Sequence, residues 1–153
     1  MMPLLFLTLV VLLAALARER RTRREFTDDG GAFRCRIRTA GGPPPGEWRL
    51  LRLRWSRRMW ARWCGDVLVI RRGPVLDRPV RLAARVCRAG VYALPARDAR
   101  HCGRDAIGMR LQVHDGALIE VTAAEPDRSA LVGPFLAAAF NDLPKAPARR
   151  RET

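Results

Sequence analysis

Three hydrophobic patterns follow one another along the chain. Residues 1–17, MMPLLFLTLVVLLAALA, contain no charged side chain. As a helix they would extend roughly 25 Å at ~1.5 Å per residue, slightly short of a ~30 Å hydrocarbon core. The expectation is a single transmembrane anchor, with Arg18 and Arg20 laying their stems along it and holding their charges at the interface. Residues 18–31 then read as a basic juxtamembrane linker. In RERRTRR, Arg18, Arg20, Arg21, Arg23 and Arg24 stand against Glu19 alone, and FTDDGG follows.

From residue 32 to 144 the pattern is mainly that of strands. Phe33, Cys35 and Ile37 alternate with Arg34, Arg36 and Arg38, which predicts a half-buried strand ended by the Gly/Pro loop 40–46. Gly65-Asp66 between apolar runs predicts a hairpin turn before a buried strand at 67–70. Gly73-Pro74 turns the chain again. Short strands are expected at 79–86 and 90–94, with a polar, irregular stretch at 97–104. Segments 107–113 and 117–121 form a hairpin about His114-Asp115-Gly116. The last pattern is helical. Leu131, Phe135, Leu136, Ala139 and Phe140 follow Asp127 as N-cap, and Pro134 kinks or restarts the helix. Residues 145–153 are a polar tail. The expected fold is mainly β: a small antiparallel barrel of about seven strands, closed by one C-terminal helix.

The stretch 48–63, WRLLRLRWSRRMWARW, holds six arginines and four tryptophans and no acidic residue. As a helix it would place Trp48, Leu51, Trp55, Met59 and Trp63 on one face, but Arg52 and Arg62 would fall close to that face. As a strand, Leu51, Leu53 and Trp55 alternate with Arg52 and Arg54, and 60–63 begins a second segment. The strand is preferred. Arg49, Arg52, Arg54, Arg57, Arg58 and Arg62 are the candidate surface for an anionic ligand. Either the tryptophans sit at a membrane interface or stack on nucleic-acid bases, or they fill the core while the arginines are merely solvated.

Charge sharpens this picture. The chain of 153 residues carries a formal net charge of +14, and Lys145 is its one lysine. Such a chain is drawn to polyanions, although the codon bias of a GC-rich genome would also favour arginine over lysine. The basic flank follows the apolar run, so the domain is expected on the cytoplasmic side of the plasma membrane. Ala15-Leu16-Ala17 has the form of a signal-peptidase site, but a cleaved signal carries its positive charge before the apolar run. Cys35, Cys64, Cys87 and Cys102 would stay reduced in the cytoplasm, and buried free thiols are the expectation. In an exported domain the four would pair in one of three ways.

The order of motifs resembles an actinobacterial single-pass family grouped as "domain of unknown function twenty-five-fifty". The matching stretches are Phe33-Arg34-Cys35, Ala61-Arg62-Trp63, Gly65-Asp66, Arg78-Pro79 and Ala130-Leu131-Val132-Gly133. The chain departs from that pattern at Pro134, in the longer stretch 48–55, and at Gly73-Pro74. The resemblance implies an architecture and no activity, cofactor or catalytic residue. The order of strands and helix is also similar to that of pleckstrin-homology-like barrels.

No catalytic constellation is legible. His101-Cys102 lies near Cys87, but there is no Cys-x-x-Cys or His-x-x-x-His pair to suggest a metal. Gly30-Gly31 and Gly41-Gly42 lack the context of a phosphate loop. Asp98, Asp105 and Asp115 have no partner at a spacing suited to acid–base work. The expectation is a non-enzymatic, cofactor-free, membrane-anchored binding or scaffold module. Its basic surface would meet anionic lipid or an acidic membrane-protein partner, because tethering raises the local concentration of both. The alternatives are a membrane-tethered nucleic-acid-binding domain and an exported, disulfide-bonded envelope protein. The anchor is tested by N-terminal sequencing of the protein isolated from its membrane fraction. An intact apolar segment is expected, and a mature N-terminus at Arg18 would identify a cleaved signal instead.

Overall fold

The computed structural model describes residues 2–28, 30–73 and 78–135. Helix α1 spans Met2–Asp28. Strand β1 is Phe33–Gly41, and a single 3-10 turn occupies Gly46–Trp48. Strands β2 (Met59–Cys64), β3 (Val67–Arg71) and β4 (Val80–Ala93) follow, then helix α2 (Ala96–Cys102). Strands β5 (Ala106–Val113) and β6 (Leu118–Ala124) form the last hairpin, before a 3-10 turn at Glu125–Asp127 and the short helix α3 (Arg128–Val132).

The strands form one closed antiparallel barrel in sequence order, with β6 pairing back on β1. Alternation explains the closure, since every strand sends alternate residues to one common interior. Phe33, Cys35 and Ile37 of β1 meet Leu68 and Ile70 of β3, Leu82 of β4, Met109 and Leu111 of β5, and Ile119 and Val121 of β6 in one buried cluster. Registers keep this parity: Ile37 lies opposite Val121, Met109 opposite Val121, and Leu68 opposite Leu82. Each end is stoppered. Trp48 and Leu51 enter the core beyond the end of β1, and fully buried Leu131 of α3 enters beside its beginning.

The expected mainly β barrel and the hairpin turns at Gly65-Asp66 and His114-Asp115-Gly116 are present. Other expectations need correction. There are six strands among the described residues, because 79–86 and 90–94 are one bent strand, β4. Its register shifts between Val86 and Val91, where Gly90 adopts φ +60°. The expected strand through Leu51, Leu53 and Trp55 is an irregular loop. Residues 97–104, expected to be irregular, largely form α2. Helix α3 itself ends at Val132, where Gly133 turns out of it with φ +53°, and Phe135 is helical again after Pro134, in keeping with the expected kink or restart. Asp127 stands at the N-cap position of α3, but its side chain makes no capping hydrogen bond. Leu136, Ala139, Phe140 and the tail 145–153 lie outside the described residues, as do Asp29 of the linker and Pro74 of the turn at 73–74.

The N-terminal expectation changes most. Residues 18–28 are not a linker but the continuation of α1. Good helix formers fill RERRTRRE, and Arg21 bonds Glu25 across one turn at 3.2 Å. Among the described residues no helix is long and apolar enough to cross a membrane. The apolar residues with described side chains, 5–17, extend about 20 Å. The basic half docks on the barrel wall: Phe26 is buried, the Arg62 guanidinium lies 4.6 Å from its ring centre, and Glu19 pairs with Arg71 at 3.2 Å.

Gly133 has the tightest packing constraint. A Cβ there would sit well inside contact distance of the Trp63 ring, whose indole N–H donates to the Leu131 carbonyl at 2.8 Å. Gly133→Ala should therefore destabilise the protein by about 2–4 kcal/mol, combining backbone strain with overpacking. Urea unfolding of the full chain measures this. A loss below about 0.5 kcal/mol would show that α3 does not seal the barrel.

Candidate anion-binding surface

The candidate arginines divide by position. Arg49, Arg52, Arg54, Arg57 and Arg58 are exposed on the irregular loop 49–58, whereas Arg62 is half-buried on β2 against Phe26. The loop is irregular for a reason. Beyond Cys35, the edge of β1 that faces β2 is taken by side-chain and isolated backbone bonds rather than a ladder. Thr39 N–H donates to the Arg52 carbonyl at 3.0 Å, and Ser56 N–H donates to the Ile37 carbonyl at 2.9 Å. The Ser56 hydroxyl accepts from Ile37 N–H at 2.9 Å, and Arg36 donates to the Ser56 carbonyl at 3.0 Å. Leu51 turns inward, so the neighbouring residues must turn out. Leu50 and Leu53 are 81% and 68% exposed between the arginines.

The tryptophans are all engaged by the fold. Trp48 is in the core, and Trp63 bonds α3 and meets Phe135 edge-on at 5.1 Å. Trp60 lies under Arg34, and Trp55 under the Arg38 guanidinium at 4.2 Å. The flanking arginines of the expected anchor project from the second half of α1. Arg18, Arg20, Arg21 and Arg24 are exposed there, and the side chain of Arg23 lies outside those described.

Sequence reasoning missed the polar cluster on the outer wall of β1, β6 and β5. Register places Arg38 beside Glu120 and Glu120 beside Arg110. Glu120 is buried and accepts from Arg38 Nε at 2.6 Å and from Arg110 at 2.8 Å. Helix α2 lies over this wall, and its Asp98 receives both terminal nitrogens of Arg38 at 3.2 and 3.0 Å. Burial pushes the Glu120 carboxyl up, but the bonds from Arg110 and Arg38 outweigh it and hold Glu120 below the usual carboxylate range. Asp98 is also held low against its burial, by the Trp55 N–H that faces it and by the bonds from Arg38. The Trp55 indole N–H and Tyr92 hydroxyl face these two carboxylates but stop short of hydrogen-bond geometry. Asp115 is pulled low by backbone N–H groups of Gly46 and Ala117, at 2.7 and 3.0 Å, and so pins the last hairpin to the loop before Trp48.

All four cysteines are free thiols. Cys35 alone is fully inside the barrel, where burial pushes its pKa up to about 12. Cys64 is exposed and Cys87 and Cys102 are partly buried, which corrects the expectation of uniformly buried thiols. Among the described residues no three His, Cys, Asp or Glu side chains group as a metal site. No family model, curated protein or solved structure matches the chain.

Glu120, Asp98 and Asp115 are all depressed in the folded state, so their stabilisation is complete above the unfolded carboxylate range and is lost as pH falls through their folded values. Thermal stability should be flat from pH 7 to about 5 and fall below about 4. Glu120→Gln should cost about 2–3 kcal/mol at neutral pH, because Arg38 keeps Asp98 and Arg110 is half exposed. The variant should also lose less stability on acidification than the native chain. Equal acid sensitivity in calorimetry would place the titrating carboxylates elsewhere.

Proposed function

We propose that the protein is a membrane-anchored binding module whose loop 49–58 docks on anionic lipid at the cytoplasmic face of the plasma membrane. The observation that carries this reading is the pairing of Leu50 and Leu53, both largely exposed, with Arg49, Arg52, Arg54, Arg57 and Arg58 on one acid-free loop. Leucines can enter the headgroup region while guanidiniums pair with phosphates. Each arginine near such a surface contributes about 1 kcal/mol, so four engaged residues supply roughly 4 kcal/mol before any apolar gain.

The N-terminal half of α1 is the second attachment. Leu5, Phe6, Leu9, Val10 and Leu13 are exposed around the helix, which leaves their apolar surface to a non-aqueous partner. Neither element alone gives firm attachment, and two signals together do. The basic second half of α1 supports a cytoplasmic position. Family membership with the actinobacterial single-pass proteins that the sequence resembles is part of the same reading. Trp48, Trp55, Trp60 and Trp63 are all occupied within the fold, so base stacking has less support than lipid docking.

Hydrogen exchange of the full chain in nanodiscs tests the reading. Amides of residues 49–58 should be protected in discs containing phosphatidylglycerol and unprotected in purely zwitterionic discs. Salt should erase the difference, since screening acts beyond ~8 Å at physiological ionic strength. Arg49→Glu with Arg52→Glu should remove the protection without lowering the melting temperature. Equal exchange in both kinds of disc would defeat lipid docking. Protection by single-stranded DNA in zwitterionic discs, at concentrations below those at which anionic lipid acts, would favour a nucleic-acid partner.

A further inference from the structure

Behind the loop, the outer wall of β1 and helix α2 bound a cleft of ≈ 790 Å³. Arg36, Arg38, Arg54 and Arg97 line it, with Trp55 and His101, and Asp98 is its one carboxylate. Asp98 is already taken by Arg38, which also bonds Glu120. Arg54 and Arg97 form no ion pair with an acidic side chain among the described residues. Arg36 gives one terminal N–H to the Ser56 carbonyl, and its Nε is buried without an acceptor. The Trp55 indole N–H, by contrast, already faces the Asp98 carboxylate. A buried donor left unanswered is costly, and an acceptor that enters the cleft removes that cost.

The cleft therefore joins an unanswered donor on its inner wall, Arg36 Nε, to the exposed guanidiniums of Arg54 and Arg97. A monoanion would leave much of this charge unmatched. A dianionic tetrahedral group fits better, because its three terminal oxygens accept from several N–H groups at once and guanidinium forks match its geometry. We propose that this cleft binds a phosphomonoester, either the terminal phosphate of a lipid headgroup such as phosphatidate or that of a small soluble ester. Arg36, Arg54 and Arg97 hold the phosphate. Leu53 and Arg54 belong both to the docking loop and to the cleft wall, so a phosphate held here lies next to the proposed membrane contact. The proposal rests on the docking reading for a lipid source of the phosphate, and on the cleft alone for its chemistry.

Two measurements on the full chain keep these apart. Titration of glycerol 3-phosphate onto protein in zwitterionic discs reads the cleft without any anionic surface. Saturable binding is expected, weakened at least tenfold by Arg54→Ala with Arg97→Ala, since each lost charge-assisted bond is on the order of tenfold. Both side chains are exposed, and an unchanged melting temperature confirms that the fold persists. Discs containing phosphatidate are then compared with phosphatidylglycerol discs of equal surface charge by exchange at residues 95–102. Extra protection with phosphatidate identifies the lipid as the source, and equal protection alongside glycerol 3-phosphate binding identifies a soluble ester. The proposal is overturned by no binding of glycerol 3-phosphate together with no preference for phosphatidate. Binding that is indifferent to Arg54 and Arg97 overturns it too. Loss of protection at 49–58 in phosphatidylglycerol discs, with the titration intact, would count against the docking loop and not the cleft.

Discussion

Everything in the domain depends on the closure of the barrel between its first and last strands. Strand β1 can bury only one face, because Phe33, Cys35 and Ile37 alternate with three arginines. Pairing with β6 gives that face an interior and decides what stands beside the arginines outside. The same register that sets Ile37 opposite Val121 sets Arg38 beside Glu120. A slip of one residue would put guanidiniums into the core and phenylalanine into water. Apolar packing inside and charge pairing outside thus select one alignment.

Closure also sorts the arginines. Arg38, Arg71 and Arg110 answer carboxylates across or between elements, and their charges are spent within the fold. Arg34 rests on a tryptophan and Arg62 on Phe26. Among the described residues, five that face water without such partners lie together on the loop 49–58, and others are spread over α1, α2 and β4. The net charge of +14 therefore describes the whole chain poorly as a recognition signal. What recognises a ligand is the smaller set of guanidiniums that the fold leaves unanswered.

The loop 49–58 owes its form to the barrel's first turn. A regular β2 beginning at Leu51 would have to continue the ladder along all of β1. Instead Trp48 and Leu51 are drawn into the open end of the barrel, and Ser56 supplies the bonds that the missing ladder would have made. Sealing the core and exposing Leu50 and Leu53 are one event. That is how a stretch rich in apolar residues ends as a surface loop suited to a headgroup layer.

Period-two alternation in 33–38 and 107–113, and the turn dipeptides Gly65-Asp66 and Asp115-Gly116, determined the strand-rich class and its hairpins, because these signals act between near neighbours. The order of an apolar segment before a basic one was likewise legible, and the basic segment's helical state was missed because FTDDGG hid a helix that Phe26 secures against the barrel. Tertiary structure alone decided the rest. Nothing in the spacing of Arg38, Asp98, Arg110 and Glu120 reveals that they meet, since the partners are separated by as many as 82 positions and joined only by closure. The stretch 48–63 alternated well enough to read as strand. Its first part became a loop because filling the barrel end with Trp48 and Leu51 outweighed local preference, and burial of large side chains exceeds intrinsic strand propensity in free energy.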